Sequence, residues 1–148
     1  KYDSNVDEID NAIYNAGLSK DISLFTNGLD TLVGERGVSI SGGQKQRISL
    51  ARAFLKEPDI LILDDSLSAV DSKTQMAIIQ NIRNIRKEKS TIIVSHRLSL
   101  VSHAHEIIVM DEGEIAERGN HENLMKQNGW YATQYQTQQL KEDENDWY

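Results

Sequence analysis

Two short apolar runs on either side of a helical stretch constrain the fold of this chain more than any other feature. The runs cover residues 60–63 and 91–94, and an uninterrupted apolar run of this length is typical of a parallel strand that is buried on both faces. The residues between them, 72–86, repeat apolar side chains at the spacing of one helix face, namely Met76, Ile79 and Ile82. A helix that joins two buried strands predicts an α/β fold with a parallel sheet.

The rest of the chain adds helices and a hairpin to this unit. Residues 107–110 and 114–117 flank a turn, which predicts an antiparallel hairpin after the parallel strands. The predicted helices cover residues 5–16, 19–25, a stretch that begins at Ser41 and that Pro58 ends, 121–127 and 130–141. We expect residues 1–30 to form a lobe outside the sheet, and residues 31–40 to form an ordered loop.

Composition and charge exclude several classes of protein. The 148 residues suffice for one ordinary domain with a core, and no apolar run approaches the length of a membrane span. The net charge is −7, which argues against nucleic-acid binding because that function needs clustered Lys and Arg. The chain has no cysteine, so disulfides and thiolate metal sites are excluded.

The run Ser41-Gly42-Gly43-Gln44 has the spacing of a capping box at the start of a helix. A helix N-terminus offers free amides and a partial positive charge, so it attracts anions. The two glycines let a phosphate approach the backbone, since no Cβ stands in the way. An ordinary turn and helix cap is the alternative interpretation of this run taken alone.

Polar residues follow the ends of both predicted parallel strands. Asp64 and Asp65 come after the first strand, and His96 follows the second. Ligands of α/β sheets bind at the carboxyl ends of strands, where a carboxylate can hold Mg²⁺. The alternatives are a polar strand end for the two acids and a structural role for the histidine. His103, His105 and His121 form no convincing metal set.

These motifs, in this order and spacing, resemble those of the ATP-binding cassette (ABC) family. Residues 40–44 are similar to its signature motif, residues 60–64 to its Walker B strand, and residues 68–71 to its D-loop, while His96 matches the switch histidine. Residues 33–37, 119–121 and 129–131 resemble segments of ABC exporters. The resemblance implies the C-terminal part of an ABC ATPase domain, with part of the helical subdomain over residues 1–56 and the RecA-like core over 57–148.

The resemblance also implies roles for individual residues. Asp64 is expected to hold Mg²⁺, and Asp65 and His96 are expected to act in ATP hydrolysis. The signature is expected to bind an ATP molecule held by a second subunit, through Ser39, Ser41, Gly42, Gly43 and Gln44. The D-loop residues are Ser68, Ala69 and Asp71.

The chain departs from the family pattern in two ways. It contains no Gly-x-x-x-x-Gly-Lys-Ser/Thr loop, so we expect a C-terminal fragment that is inactive in isolation and that leaves apolar sheet surface uncovered. Asp65 stands where the family has Glu. Asp is shorter by one methylene, and a general base out of reach of its proton loses much of a contribution of order 10²–10⁴ in rate. This pattern resembles the degenerate-site half of a heterodimeric multidrug exporter.

The implied function is ATP-driven efflux of drugs or lipids. The implied partners are a second nucleotide-binding domain, in a heterodimer or a homodimer, and the coupling helices of a transmembrane domain. The expected location is the cytoplasmic face of the cell membrane. Two alternatives stay open at this point: a soluble ABC ATPase of DNA repair or chromosome maintenance, and a non-catalytic regulatory half.

Overall fold

The computed structural model describes residues 5–34 and 37–145, the last four of these by their backbone alone. The helices are α1 (Val6–Asn15), α2 (Ser19–Leu24), α3 (Gly42–Phe54), α4 (Ser72–Ile85), α5 (Leu98–Val101), α6 (His121–Gln127) and α7 (Trp130–Asn145). The strands are β1 (Ile60–Asp64), β2 (Ser90–Val94), β3 (Ile107–Asp111) and β4 (Glu114–Gly119). The chain divides into two compact units, an N-terminal unit of residues 1–94 and a C-terminal unit of residues 95–148.

The predicted α/β class is confirmed. In the N-terminal unit β1 and β2 pair in parallel, with Ile60 opposite Ser90 and Asp64 opposite Val94. In the C-terminal unit β3 and β4 form an antiparallel hairpin with an irregularity between Val109 and Met110. The sequence missed the single-turn helix α5, because four residues carry too little periodicity to be recognised.

The prediction that the parallel strands are buried on both faces is wrong for both strands, since β1 alternates buried and exposed residues and no residue of β2 is fully buried. Leu61 and Leu63 are buried, whereas Ile60 and Ile62 are 60% and 62% exposed. Successive side chains of a strand point to opposite faces, and within the described residues only one face is covered. Ile92 and Val94 of β2 are also exposed, which agrees with the expected uncovered apolar sheet surface.

Helix α1 packs against α3 and α4, so the predicted separate lobe of residues 1–30 is not observed. The chain turns at Gly17, where φ is +69°, and this glycine lies beside Thr74 and Ile78 of α4. The predicted division of the chain at residue 56 stays a prediction. Of the predicted loop 31–40, Val33 and Val38 form an isolated bridge, while Glu35 and Arg36 lie outside the described residues.

Two smaller predictions about helices are also wrong. Met76 is exposed on α4, because the buried face of that helix is rotated and consists of Gln75, Ile78, Ile79 and Ile82. Pro58 does not end α3, since the helix already stops at Phe54. The chain leaves the helical conformation at Glu57, where φ is +47°, before the proline is reached.

A buried arginine joins the starts of the two parallel strands. The Arg86 guanidinium donates to the carbonyls of Pro58, Asp59 and Ser90 and to the Thr91 hydroxyl. Removal from water lowers the pKa of Arg86 below its ordinary value. These bonds fix where β1 and β2 begin and therefore where they end, beside the candidate site residues.

The C-terminal unit has its own small core, made of Leu98, Ile107, Leu124 and Tyr131. The Tyr131 hydroxyl lies 2.9 Å from Nδ1 of His121, and burial raises the pKa of Tyr131 to about 12. The carboxylate of Glu117 accepts hydrogen bonds from the amides of Trp130 and Tyr131. This carboxylate therefore satisfies free donors at the start of α7, and it holds that helix to β4.

Candidate functional site

The predicted capping box forms at the start of α3. Ser41 Oγ accepts from the Gln44 amide at 3.1 Å, and Gln44 Oε1 accepts from the Ser41 amide at 2.8 Å. The amides of Gly42 and Gly43 have no hydrogen-bond acceptor in the described part of the chain. We call Ser41, Gly42, Gly43 and Gln44 the α3 tip. It presents two unsatisfied amides at the positive end of a helix of 13 residues.

The two glycines of the α3 tip lie in different surroundings. A Cβ on Gly43, which is buried, would stand 2.6 Å from the carbonyl oxygen of Ala69. A Cβ on Gly42, which is exposed, would meet only the Ala69 methyl group at 3.3 Å. Gly43 is therefore required for close packing inside the molecule, a reason that the sequence did not reveal. Of the two glycines, only Gly42 has open space beside it apart from this one contact.

A polar network that the sequence did not predict connects the first turns of α3 to α2 and to Gly17. Arg47 Nη1 lies 2.7 Å from Asp21 Oδ2, and both side chains are largely buried. Arg47 also donates to the carbonyls of Gly17 and Gly43. Gln44 Nε2 donates to Asp21 Oδ1 at 2.8 Å. The oxygen and the nitrogen of the Gln44 side chain are thus both hydrogen-bonded within the chain.

The predicted D-loop lies directly against α3. Residues 66–70, called the 66–70 loop below, form a turn after β1. Gln46 Nε2 donates to Ser68 Oγ at 2.9 Å, and Gln46 Oε1 accepts from the Ala69 amide at 2.9 Å. Asp71 caps α4 by accepting from the Thr74 amide at 2.9 Å. This hydrogen bond lowers the pKa of Asp71 below its ordinary value.

The two predicted carboxylates lie together at the carboxyl end of β1. Asp64 and Asp65 are both exposed, and the Asp65 amide donates to the Val94 carbonyl at 3.1 Å. Asp65 adopts the left-handed conformation with φ of +45°. Within the described residues no group of three or more metal-binding side chains occurs. One or two carboxylates together with substrate phosphates suffice for Mg²⁺, so this donor set fits that ion.

His96 belongs to the C-terminal unit, and its side chain is exposed. Its backbone is held by Gln138 of α7, whose Nε2 donates to the His96 carbonyl at 2.8 Å. Gln138 Oε1 accepts from the Leu98 amide at 2.9 Å. Gln138 is a further residue that sequence analysis missed, because nothing in its helical spacing indicates a partner 42 residues away. Ser39, also predicted as part of the site, is exposed and precedes the α3 tip.

Comparisons with known proteins identify the family of this chain. A family model described as ABC transporter matches residues 4–68. The chain is 59% identical, over 95% of its length, to a probable multidrug resistance ABC transporter ATP-binding/permease protein, YheI, of Bacillus subtilis. The chain belongs to the ABC transporter family.

Two further relatives of this ABC chain extend the comparison. It is 49% identical, over 79% of its length, to an ATP-dependent lipid A-core flippase of Shewanella frigidimarina. Its fold matches a bacterial Atm1-family ABC exporter with ATP bound, at a TM-score of 0.83 and 36% identity over 93% of the chain. The chain spans 24% of the YheI sequence, 20% of the flippase and 24% of the Atm1-family chain.

The relatives bear on the alternatives that the sequence left open. Their names are those of transporters, and a soluble ATPase of DNA repair is not favoured. No helix in the part of this chain that the structure describes is long and apolar enough to cross a membrane. The fold is that of part of an ABC ATPase domain.

Proposed function

We propose that this chain is part of the ATP-binding and ATP-hydrolysing domain of an ABC exporter that moves drugs or lipids out of the cell. The names of its relatives, a multidrug resistance transporter and a lipid flippase, support this class of substrate. The fold match to an exporter with ATP bound supports a role for the nucleotide. The domain works with transmembrane coupling helices at the cytoplasmic face of the membrane and with a second nucleotide-binding domain.

The observation that carries the proposal is the pair of free amides at the α3 tip. Gly42 and Gly43 offer two N–H donors at a helix N-terminus, and such a tip binds phosphate oxygens. Ser41 accepts with its Oγ from Gln44, so its hydroxyl proton is free to donate to the same anion. The α3 tip binds the phosphates of an ATP molecule that is bound to the partner domain.

The carboxylates of β1 serve the ATP site of this chain itself. Asp64 would hold Mg²⁺, which when bound would supply positive charge beside the phosphates. Asp65 occupies the place of the general base, and its shorter side chain makes this site slow. His96, whose ring is exposed, acts in ATP hydrolysis. At the other ATP site the partner domain supplies a glutamate as the general base. Because the partner has a glutamate where this chain has Asp65, the two subunits differ and form a heterodimer.

The first experiment tests the α3 tip in the assembled transporter. Gly42→Glu places a carboxylate in front of the free amides, and an acidic residue in the first turn is compatible with a helix. We expect ATP hydrolysis to fall by about 100-fold, the usual size of losing a phosphate-directed donor. Ser49→Glu makes the same charge change further along α3 and is the control. Normal hydrolysis by the Gly42→Glu transporter contradicts the proposal.

The second experiment tests the slow site. Asp65→Asn removes the weak base, so hydrolysis by the heterodimer should change by less than about twofold. Asp65→Glu restores the reach of the base and should raise hydrolysis. Glutamate is tolerated in the left-handed conformation, as Glu57 and Glu112 demonstrate in this chain. A collapse of hydrolysis with Asp65→Asn, equal to that from removing the partner's glutamate, contradicts the slow-site assignment.

A third measurement concerns the 148 residues by themselves. They contain no Gly-x-x-x-x-Gly-Lys-Ser/Thr loop, which in this class of ATPase cradles the β- and γ-phosphates. We expect no hydrolysis and very weak ATP binding. A fluorescent ATP titration with micromolar affinity for the isolated chain contradicts this expectation.

A further inference from the structure

The side-chain amide of Gln46 makes contacts that no motif predicted. It lies in the second turn of α3, and both ends of the amide reach the 66–70 loop, one to Ser68 Oγ and one to the Ala69 amide, each at 2.9 Å. Ser68 and Ala69 are exposed. A side chain that satisfies two groups of one exposed loop restricts both the position and the orientation of that loop.

The same contact extends in two directions. Ser68 Oγ donates to the Asp65 carbonyl at 3.0 Å, so the bonds run from Gln46 through Ser68 to the end of β1. On the other side, Gly43 packs against the Ala69 carbonyl so closely that a Cβ would not fit. The α3 tip, the 66–70 loop and the carbonyl of Asp65 are thus connected through Gln46 and its neighbours.

A different residue anchors the inner side of the loop. Leu67 and Val70 are buried, and the buried side chain of Gln75 donates to the Leu67 carbonyl. Loss of Gln46 therefore leaves the turn attached to α4. It removes only the bonds from α3 to Ser68 and Ala69, the two loop residues that the family resemblance places toward a nucleotide.

We propose that Gln46 is a positioning residue that ties Ser68 and Ala69 to helix α3, so that the α3 tip and the 66–70 loop are presented to the nucleotide as one rigid piece. This inference rests on the proposed function, since it assumes that both segments face ATP. Gln46 does not touch the nucleotide itself. Its effect comes from holding two contacting segments in register, and a misplacement of about 1 Å can cost 10²-fold in rate.

The test uses the assembled transporter with MgATP. Gln46→Ala removes both hydrogen bonds. Gln80→Ala is the control, because Gln80 is an exposed helical glutamine whose side chain, among the described residues, bonds only along α4. We expect kcat to fall about tenfold in Gln46→Ala with KM for ATP changed by less than about twofold. Hydrogen exchange of the peptide that contains Ala69 should accelerate by about tenfold, because its amide loses its acceptor.

A double variant separates positioning from general damage. If Gln46 acts through the loop, Gln46→Ala combined with Ser68→Ala should slow kcat by less than the product of the two single effects, since both variants remove the bond between Gln46 and Ser68. Multiplying effects on kcat contradict the inference. The inference is also contradicted if Gln46→Ala and Gln80→Ala have the same kcat. It is contradicted as well if hydrogen exchange at Ala69 in Gln46→Ala is as slow as in the wild type.

A further variant covers failure of Gln46→Ala to fold. Gln46→Met keeps the length of the side chain but cannot donate to Ser68 Oγ and accepts only weakly from the Ala69 amide, so a reduced kcat supports the inference and a wild-type kcat overturns it. The two proposals fail separately. Normal hydrolysis by Gly42→Glu contradicts the proposed function, whereas normal turnover of the Gln46 variants beside a defective Gly42→Glu contradicts only the positioning role.

Discussion

Two arginine–carboxylate pairs of nearly equal length lie in very different regions of this chain. In the N-terminal unit, Arg47 Nη1 is 2.7 Å from Asp21 Oδ2, and the side chains are 14% and 16% exposed. In the C-terminal unit, Arg118 Nε is 2.8 Å from Glu106 Oε1, and the side chains are 60% and 50% exposed. The distances alone would make these pairs equivalent.

Their surroundings make them different. Asp21 also accepts from Gln44, and Arg47 also donates to two backbone carbonyls, so removal of either partner leaves polar groups unpaired away from water. The exposed pair exchanges its partners for water at little cost. The network whose disruption costs the most stability includes Gln44 of the α3 tip. It therefore lies where the position of the tip matters for the proposed ATP contact.

The largest expected effect is therefore from Arg47→Ala. Removing one partner of a largely buried pair should lower the free energy of unfolding by about 3 kcal/mol. Arg118→Ala is the matched control and should leave the urea midpoint within experimental error. Equal shifts of the two midpoints would show that burial does not distinguish these pairs.

The next largest effect on stability is expected at Gly43, compared with its neighbour Gly42 in the α3 tip. Gly43→Ala should lower the free energy of unfolding by about 2 kcal/mol, because the added methyl group overlaps the Ala69 carbonyl. Gly42→Ala should change it by less than about 0.5 kcal/mol, since the site is open and Ala favours the helix. Thermal unfolding of both variants measures this, and similar losses would contradict the packing role of Gly43.

A smaller effect is expected in the C-terminal unit, where a carboxylate binds backbone amides rather than an arginine. Glu117→Ala removes the acceptor for the first amides of α7 and should cost about 1 kcal/mol, the usual value of a helix cap. Glu114→Ala, at an exposed position of the same strand, is the control. Chemical unfolding followed by circular dichroism compares the two, and a larger loss with Glu114→Ala would refute the capping role.

The smallest effect is a pH dependence of the exposed pair. The hydrogen bond from Arg118 holds the pKa of Glu106 below its ordinary value. A carboxylate with a lowered folded-state pKa contributes stability above its unfolded pKa and loses it as the pH falls through the folded one. In an NMR titration, Arg118→Ala should return the pKa of Glu106 toward its ordinary value. An unchanged pKa would mean that the pair does not form in solution.

Sequence analysis recovered the parts of the site that depend on local contacts. The capping box joins Ser41 to Gln44, three residues apart. At this spacing each side chain reaches the backbone amide of the other residue whenever the helix forms. The wrong prediction about Ile60 and Ile62 has a different origin, since apolar character does not report whether another segment covers that face.

The sequence by itself determined the order and type of the main helices and strands, the α/β class and the family. Periodicity and motif spacing are properties of the sequence that can be recognised before the chain is folded. Only the tertiary structure decided what holds the site in place. Gln46 meets Ala69 from 23 residues away, Arg47 meets Asp21 from 26, and Gln138 meets His96 from 42. Contacts over such separations depend on how folded elements pack, and no local pattern of residue types specifies them.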